Sequence, residues 1–499
     1  MSDNLVNLNV NPCKMCMPMG AVTALYGIRG CMSILHGSQG CATYMRRHLA
    51  THFNEPIDIA SSALTEQGTV FGGEANLLKG LSNLIELYHP EVIGVCTTCL
   101  AETIGEDTRA IINKFYEQNP GLAVKIIDVS SPGYGGTQNE GFFAAVRAVI
   151  EQVEPVELGQ GHKGDGSFCV LEDAENSKII ENTKRTVPLV SSVSPDKGWI
   201  NIITPMISPA DTRWLKGFLR ELGLDFILMP DLSDNLDGVT VKTYQRLKIG
   251  GTPLSEVARM AGAQLTVEFS EYTKPGESPA VFLNQAHGVP YVQLPLPMGI
   301  RGMDAFIEAL QEQGGLVSDE LLRARGRYLD AMVDGHKYCA RARAAVFGEP
   351  DFVTATVRLC CENGIVPVIA ATGSVCADLK PSIEAEIAAC ADISFAEKAE
   401  IRDDCDFDTI EKYCQELGAN LMIGSSEGRR IARRLGIPLI RCAFPIHDHV
   451  GGQRVRTLGF DGSLNILDQV ANAMLDKTSA SFRTELYQKF YKDEVGAAS

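Results

Sequence analysis

No apolar run in this 499-residue chain approaches the ~18 residues of a membrane span. The start, Met1-Ser2-Asp3-Asn4, lacks the basic stretch and apolar segment of a secretory leader. Basic charge is in short supply: 45 Lys and Arg against 62 Asp and Glu give a formal charge of −17, so the basic stripe of a nucleic-acid footprint is missing. Long like-charge blocks and low-complexity tracts are absent while 45% of residues are hydrophobic, which argues against disorder. Also missing is a G-x-x-x-x-G-K-S/T phosphate loop, so the chain is not an ATPase of that type. The pairs Gly72-Gly73 and Gly135-Gly136 do not complete a G-x-G-x-x-G dinucleotide fingerprint. These absences predict a cytoplasmic protein that engages neither membrane nor nucleic acid.

What the chain has in quantity is cysteine, 15 residues. Reducing cytosol keeps thiols free and a chain this long needs no staples, so a disulfide scaffold is disfavoured. Core thiols or metal ligands remain. Six fall in the first hundred residues (Cys13, Cys16, Cys31, Cys41, Cys96 and Cys99), and none lies between Cys169 and Cys339.

At roughly 100–200 residues per domain, the length accommodates about three domains. Apolar runs of strand length alternate with helix-period segments, the pattern of parallel sheets joined by crossover helices. Strands are predicted at 91–97, 124–129, 199–205, 225–229, 366–371, 420–423 and 438–442, and helices at 104–116, 209–222, 352–362 and 426–435. The glycine-rich segment 159–166 reads as a surface linker. The fold class is therefore α/β, three doubly wound parallel-sheet units over 1–185, 186–335 and 336–499, with no close sequence repeat. Such sheets bind ligands outside the carboxyl ends of their strands, where the strand order reverses.

Cys99 follows Val95-Cys96-Thr97-Thr98 at the carboxyl end of a predicted strand, just before a helix. Cys41 closes HGSQGC at the start of the amphipathic segment 42–52, where the helix dipole and free N–H groups stabilise a thiolate. Gly37 and Gly40 permit close backbone approach there. Cys16 sits in a loop held extended by Pro12 and Pro18. Thiolates suit zinc or iron–sulfur clusters. Cys13/Cys16 and Cys96/Cys99 are C-x-x-C pairs, but zinc ribbons bring such pairs within about 15–20 residues, and these are most of a domain apart. Cys31 and Cys96 read as core thiols, a reading weaker for Cys16, Cys41 and Cys99 at loop or element ends.

The motifs NPCKMCMPMGA (11–21), HGSQGCATY (36–44), HFNEP (52–56), LTEQGTVFGGEANL (64–77), CTTCLAETIGED (96–107), GVPYVQLPLPMGI (288–300), VFGEPDFV (346–353) and FPIHDHVGGQR (444–454) follow in order. Over nearly the whole chain they resemble the β-type subunit of the nitrogenase component 1 superfamily. The resemblance implies three Rossmann-like domains and an iron–sulfur cluster of P-cluster type, 8Fe-7S, with a smaller 4Fe-4S cluster as the alternative. It implies Cys16, Cys41 and Cys99 as this chain's ligands. The remaining thiolates would come from a homologous α-type subunit in an α2β2 heterotetramer, over which an ATP-dependent iron–sulfur reductase docks. The substrate-reducing cofactor would lie in the α-type subunit, leaving no catalytic residue here. Nitrogenase β subunits often carry a serine able to ligate oxidised cluster iron, and the corresponding stretch 131–136 has Gly133. The complete cysteine set favours a catalytic complex over a cofactor-assembly scaffold. Gly133, the segment 451–454 and the short stretch before the first motif make the chain most similar to nitrogenase-like methylthio-alkane reductases, which cleave carbon–sulfur bonds. Dinitrogen reduction and cofactor assembly are the alternatives.

Three further groupings carry blander readings. His48 and His52 are spaced i, i+4 without the intervening glutamate of a zinc protease, and are expected to pack or cap. His447 and His449 flank Asp448 in a loop, read as structural hydrogen bonding rather than a metal site or proton relay. Arg429, Arg430, Arg433 and Arg434 read as a solvated helix face rather than an anion or partner site.

Overall fold

A computed structural model describes residues 11–156, 198–243, 245–390 and 399–490. Three sheets follow one another along the chain, and every strand pair is parallel. The first contains β1 (Cys31–His36), β2 (Ala60–Ser61), β3 (Val92–Thr97) and β4 (Lys125–Val129), in the order β2-β1-β3-β4. The second contains β5 (Ile200–Ile203), β6 (Phe226–Met229), β7 (Leu265–Glu268) and β8 (Tyr291–Gln293), ordered β6-β5-β7-β8. The third contains β9 (Arg343–Phe347), β10 (Val366–Ala371), β11 (Glu400–Arg402), β12 (Leu421–Gly424) and β13 (Leu439–Arg441), ordered β11-β10-β9-β12-β13. Each order runs outward from its first strand and reverses once. The fold is α/β with three Rossmann-like domains.

Strands buried on both faces read as unbroken apolar runs. In β5, Ile202 joins a core shared with Val346 and Ile423 of the third sheet, while Ile203 joins a core shared with Leu35 and Val129 of the first. One strand thus ties three sheets together. A cavity lined by His52, Met206, Glu349, Asp351, Phe444 and Leu458 lies where the three domains meet.

The predicted strands fall on β3, β4, β5, β6, β10, β12 and β13, and 209–222 and 352–362 on helices Pro209–Glu221 and Pro350–Glu362. The stretch 104–116 differs. A short helix Cys99–Thr103 precedes it, Gly105 at φ +74° breaks the run, and Asp107 caps a new helix, Thr108–Gln118, by accepting the Ala110 amide. The stretch 426–435 opens as a 3₁₀ turn, Ser426–Gly428, before the helix Arg429–Leu435. The linker at 159–166 and the boundary at 185/186 lie outside the described residues. Among the described residues no helix is long and apolar enough to cross a membrane.

Candidate metal centre

In the first sheet the strand order reverses between β1 and β3, so the loops leaving these two strands diverge around a crevice. Cys41 and Cys99 lie on those two loops. After β1, Ser38 caps the helix Gln39–Phe53 and places Cys41 in its first turn, with Ser38 Oγ 3.7 Å from Cys41 Sγ. After β3, Thr98 caps the helix that Cys99 begins. The loops are locked together: the Thr98 amide and hydroxyl both donate to the His36 carbonyl at 3.2 Å. Gly37 is required here, because a Cβ would stand 1.9 Å from Thr98 Oγ1. At Gly40 a Cβ would meet only Ser38 Oγ, at an unstrained 3.8 Å.

Two buried groups that the sequence reading did not single out fix this loop. His36 Nδ1 lies 3.0 Å from Ser62 Oγ, and Ser62 Oγ accepts the Gly37 amide at 3.0 Å. His36 Nε2 faces Glu106 at 3.6 Å, and burial lowers the histidine's pKa more than this neighbour raises it. The pattern His-Gly, with a histidine ending a buried strand, was the available signal.

Cys16 arrives from a third direction. Its backbone is extended, caps the helix Met17–Tyr26, and bridges Thr137 at the head of helix Gln138–Gln152. Gly20 and Gly141 let these two helices touch backbone to backbone: a Cβ would stand 1.7 Å from the Gln138 carbonyl oxygen or 1.9 Å from that of Met17. The loop after β4 then lays Gly133 across the thiols. Its amide donates to Cys99 Sγ at 3.1 Å, and a Cβ there would stand 2.6 Å from Cys16 Sγ and 3.1 Å from Cys99 Sγ. Desolvation pushes the Cys16 thiol up to about 11, and the charges of Cys99 and Cys41 push the same way. Thiolates that repel one another are what a cationic cluster neutralises.

The two C-x-x-C pairs are split rather than convergent. Cys96 is buried in β3, and Cys13 is buried in the core of the third sheet, its amide bonded to the Cys405 carbonyl at 2.9 Å. Cys31 packs half-buried against the core shared by the first and second sheets. Among the described residues no three His, Cys, Asp or Glu lie close enough to hold a single metal ion. The donor set, three soft sulfurs from separate segments with a backbone donor aimed at one of them, fits a multi-iron cluster. Cys99 is exposed, as are Tyr44 one turn after Cys41, Tyr134 beside Gly133, and Val70 and Phe71 between the second and third cysteines.

The remaining groupings are structural. Burial holds His52 neutral, with its pKa down to about 3, and Nδ1 accepts the Ile446 amide at 2.9 Å. His48 packs against Tyr44, the rings tilted by 51° with centroids 4.4 Å apart. Asp448 pairs with Arg441 at 2.7 Å, and His447 faces Glu427 at 3.4 Å. Of the arginine cluster, Arg434 pairs with Glu411 at 2.7 Å and Arg429 with Asp448 at 3.9 Å.

Three parallel-sheet domains in series, with Cys41 and Cys99 on the two loops of the first strand reversal, define an α/β protein whose thiols stand where such sheets bind ligands. The sequence profile of the nitrogenase component 1 type oxidoreductases matches residues 16–475, and the chain belongs to that family as a β-type subunit. A nitrogenase molybdenum-iron protein beta chain of Methanococcus maripaludis is 32% identical, covering 94% of this chain and 95% of its own. That of Clostridium pasteurianum is 30% identical with 94% of each covered, and a vanadium-iron protein beta chain of Trichormus variabilis is 30% identical with 93% and 94% covered. The solved structure of nitrogenase Cp1 at pH 6.5 superposes with a TM-score of 0.82 at 29% identity over 94% of each chain.

Proposed function

We propose that this subunit is the electron-relaying half of a nitrogenase-like reductase, in which Cys16, Cys41 and Cys99 hold one side of an iron–sulfur cluster of P-cluster type. The observation that carries the reading is that Gly133 brings together Cys16 and Cys99 from separate segments, with Cys99 exposed and the charge of Cys41, on the neighbouring loop, acting on Cys16. Bound there, such a cluster supplies one-electron transfer at a potential set by charge, hydrogen bonds to sulfur and exposure. The chain's own contributions follow from the geometry. The Gly133 amide stabilises anionic sulfur at Cys99. The first-turn position of Cys41 sets it in the positive field of a helix N-terminus. Cys16 and Cys41 are half-buried and Cys99 is exposed.

Three thiolates leave a cluster of eight irons short of ligands, so the open side calls for a homologous α-type subunit. The exposed Tyr44, Val70, Phe71 and Tyr134 supply apolar surface for that contact. An α2β2 assembly, with an ATP-dependent iron–sulfur reductase docking over the shared cluster, completes the reading. No residue of this chain is assigned to the bond-breaking step.

For the substrate, Gly133 and the segment 451–454 favour reductive carbon–sulfur cleavage of methylthio-alkanes. The names of the relatives above favour a second reading, dinitrogen reduction. Anaerobic purification of the complex with iron and sulfide analysis and electron paramagnetic resonance tests the relay. A cluster-free or zinc-only complex overturns it, and about four irons per αβ pair would point to the 4Fe-4S alternative and an assembly scaffold. Assays of the reconstituted complex then separate the substrates: thiol and hydrocarbon from thioethers such as dimethyl sulfide, or ammonia from dinitrogen.

A further inference from the structure

Two thiols that the metal centre does not use meet in the third domain. Cys361 lies in the last turn of helix Pro350–Glu362, and Cys390 lies just past helix Leu379–Ala388, which packs alongside it. Cys361 is buried and Cys390 half-buried, and the two side chains are hydrogen-bonded to each other. Arg301 Nη2 donates to Cys390 Sγ at 3.5 Å. This guanidinium is held in place by Glu386 at 2.6 Å and Glu362 at 3.4 Å. Glu362 is itself fixed by the amides of Ile300 at 2.8 Å and Arg301 at 3.0 Å, and Glu386 also pairs with Arg358 at 2.6 Å.

A buried thiol in apolar surroundings is inert, whereas one that accepts a hydrogen bond beside a cation is reactive as the thiolate. Cys390 has both features. The Cys361 hydrogen bond and the Arg301 charge lower its pKa against the opposing burial and the charges of Glu362 and Glu386. Cys361, faced by Cys390, Cys360 and Arg301, has its pKa raised, first by the same hydrogen bond and then by burial. Each sulfur thus shifts the other in the opposite sense, Cys390 toward the thiolate beside Arg301 and Cys361 toward the thiol, the division of roles in reactive dithiols.

We propose that Cys361 and Cys390 form a redox-active dithiol, oxidised by peroxide to a reversible disulfide. The Cys390 thiolate attacks one oxygen of hydrogen peroxide and the O–O bond breaks, leaving Cys390 as the sulfenic acid and, with one proton, releasing water. The Cys361 sulfur then attacks the Cys390 sulfur and the S–O bond breaks, releasing a second water. Two thiols and one peroxide become one disulfide and two waters, and two electrons pass from sulfur to oxygen. A dithiol reductant reverses the change. The disulfide would tie together the ends of the two helices and remove the thiolate that Arg301 contacts.

The test uses the anaerobically purified complex. After limited hydrogen peroxide and N-ethylmaleimide blocking, unreduced peptide mapping is expected to show the Cys361 and Cys390 peptides linked, and the link to disappear with dithiothreitol. Cys361→Ser is expected to leave Cys390 as a sulfenic acid trapped by dimedone, with iron content equal to wild type. Before oxidation, Arg301→Gln should slow maleimide labelling of Cys390 at pH 7 by about fivefold, the effect of raising a thiol's pKa by roughly one unit. Both cysteines still free after peroxide has oxidised other thiols, or Cys390 driven to sulfinic acid with no link formed, would overturn the proposal.

Discussion

At position 133 the absent side chain decides whether Cys16 and Cys99 share one space. A methyl group there would press on Cys16 and Cys99 and displace the backbone donor from Cys99. Gly133→Ala should leave the subunit folded and weaken cluster retention about 10-fold or more, the usual scale for a disturbed second shell. Iron per αβ pair after dilution and desalting reads this directly, and unchanged retention would remove Gly133 from the site. A second residue-scale expectation concerns pH. Asp351 is buried at the central cavity, accepting the Glu271 amide at 2.7 Å and the Ser270 hydroxyl at 3.0 Å. Desolvation, with smaller contributions from Glu271 and Glu268, pushes its carboxyl up to about 7. The folded state therefore binds more protons than the unfolded chain between about pH 4 and pH 7. Its stability contribution is full below that window and is lost as pH rises through it. Glu349, pushed up to about 7 mainly by desolvation, acts with the same sign. Asp351→Asn should shrink the fall in stability between pH 5 and pH 8 by about 2 kcal/mol or more. Urea midpoints of both proteins at the two pH values measure it, and equal slopes would contradict it.

The elements that carry the thiols are placed by contacts of unequal legibility. Strands β3, β5, β10 and β12 could be read from sequence because parallel strands buried on both faces are continuous apolar runs. The edge strands β2, β8 and β11 have two or three residues each and carry no such run. The helix Gly459–Phe490 escaped notice, though it packs against helix Asp319–Cys339 in the core shared by the second and third sheets. Positions of Cys41 and Cys99 at strand ends follow from local pattern, but the arrival of Gly133 over Cys16 does not. That contact depends on two helices approaching through Gly20 and Gly141, which are far apart in sequence and look ordinary in isolation. The same holds for Cys361 and Cys390, which local pattern left as packing residues. Gly20→Ala should therefore cost about 1–3 kcal/mol by overpacking, lowering the melting temperature by several degrees and reducing iron content with it. Gly217→Ala, whose Cβ would meet nothing within 4 Å, is the matched control and should be neutral or slightly stabilising. Equal melting temperatures for the two variants would refute the close-packing account.

In the whole molecule, the chain's first described residues bind the segment that follows β11 in the third domain, while the candidate ligands Cys41 and Cys99 leave strands of the first sheet. Cys13 and Asn11 are hydrogen-bonded to the backbone of Cys405 and Phe407, and three residues after Cys13, Cys16 enters the candidate site. Cores shared between sheets make the domains one packed body, so loss of a ligand should not unfold the subunit. Its effect should appear in assembly. If the cluster is shared across the subunit boundary, its bonds to both chains add to their association, and removing one ligand weakens pairing as well as metal content. Cys41 is half-buried at the margin of the core shared by the first and second sheets, and its one polar contact is a long one to Ser38, so Cys41→Ala opens no enclosed cavity. Cys360, fully buried, is the opposite case: Cys360→Ala should cost about 1–2 kcal/mol of packing and leave iron untouched. The expected result is a Cys41→Ala complex that has lost its iron and dissociates at concentrations about 10-fold or more above those at which wild type does, with the Cys360→Ala complex intact. Sedimentation velocity over a dilution series, with iron measured on the same samples, reads both quantities. A Cys41→Ala subunit that pairs as tightly as wild type while lacking iron would show that the interface stands without the cluster, and would leave Tyr44, Val70, Phe71 and Tyr134 as the surface that holds the partner.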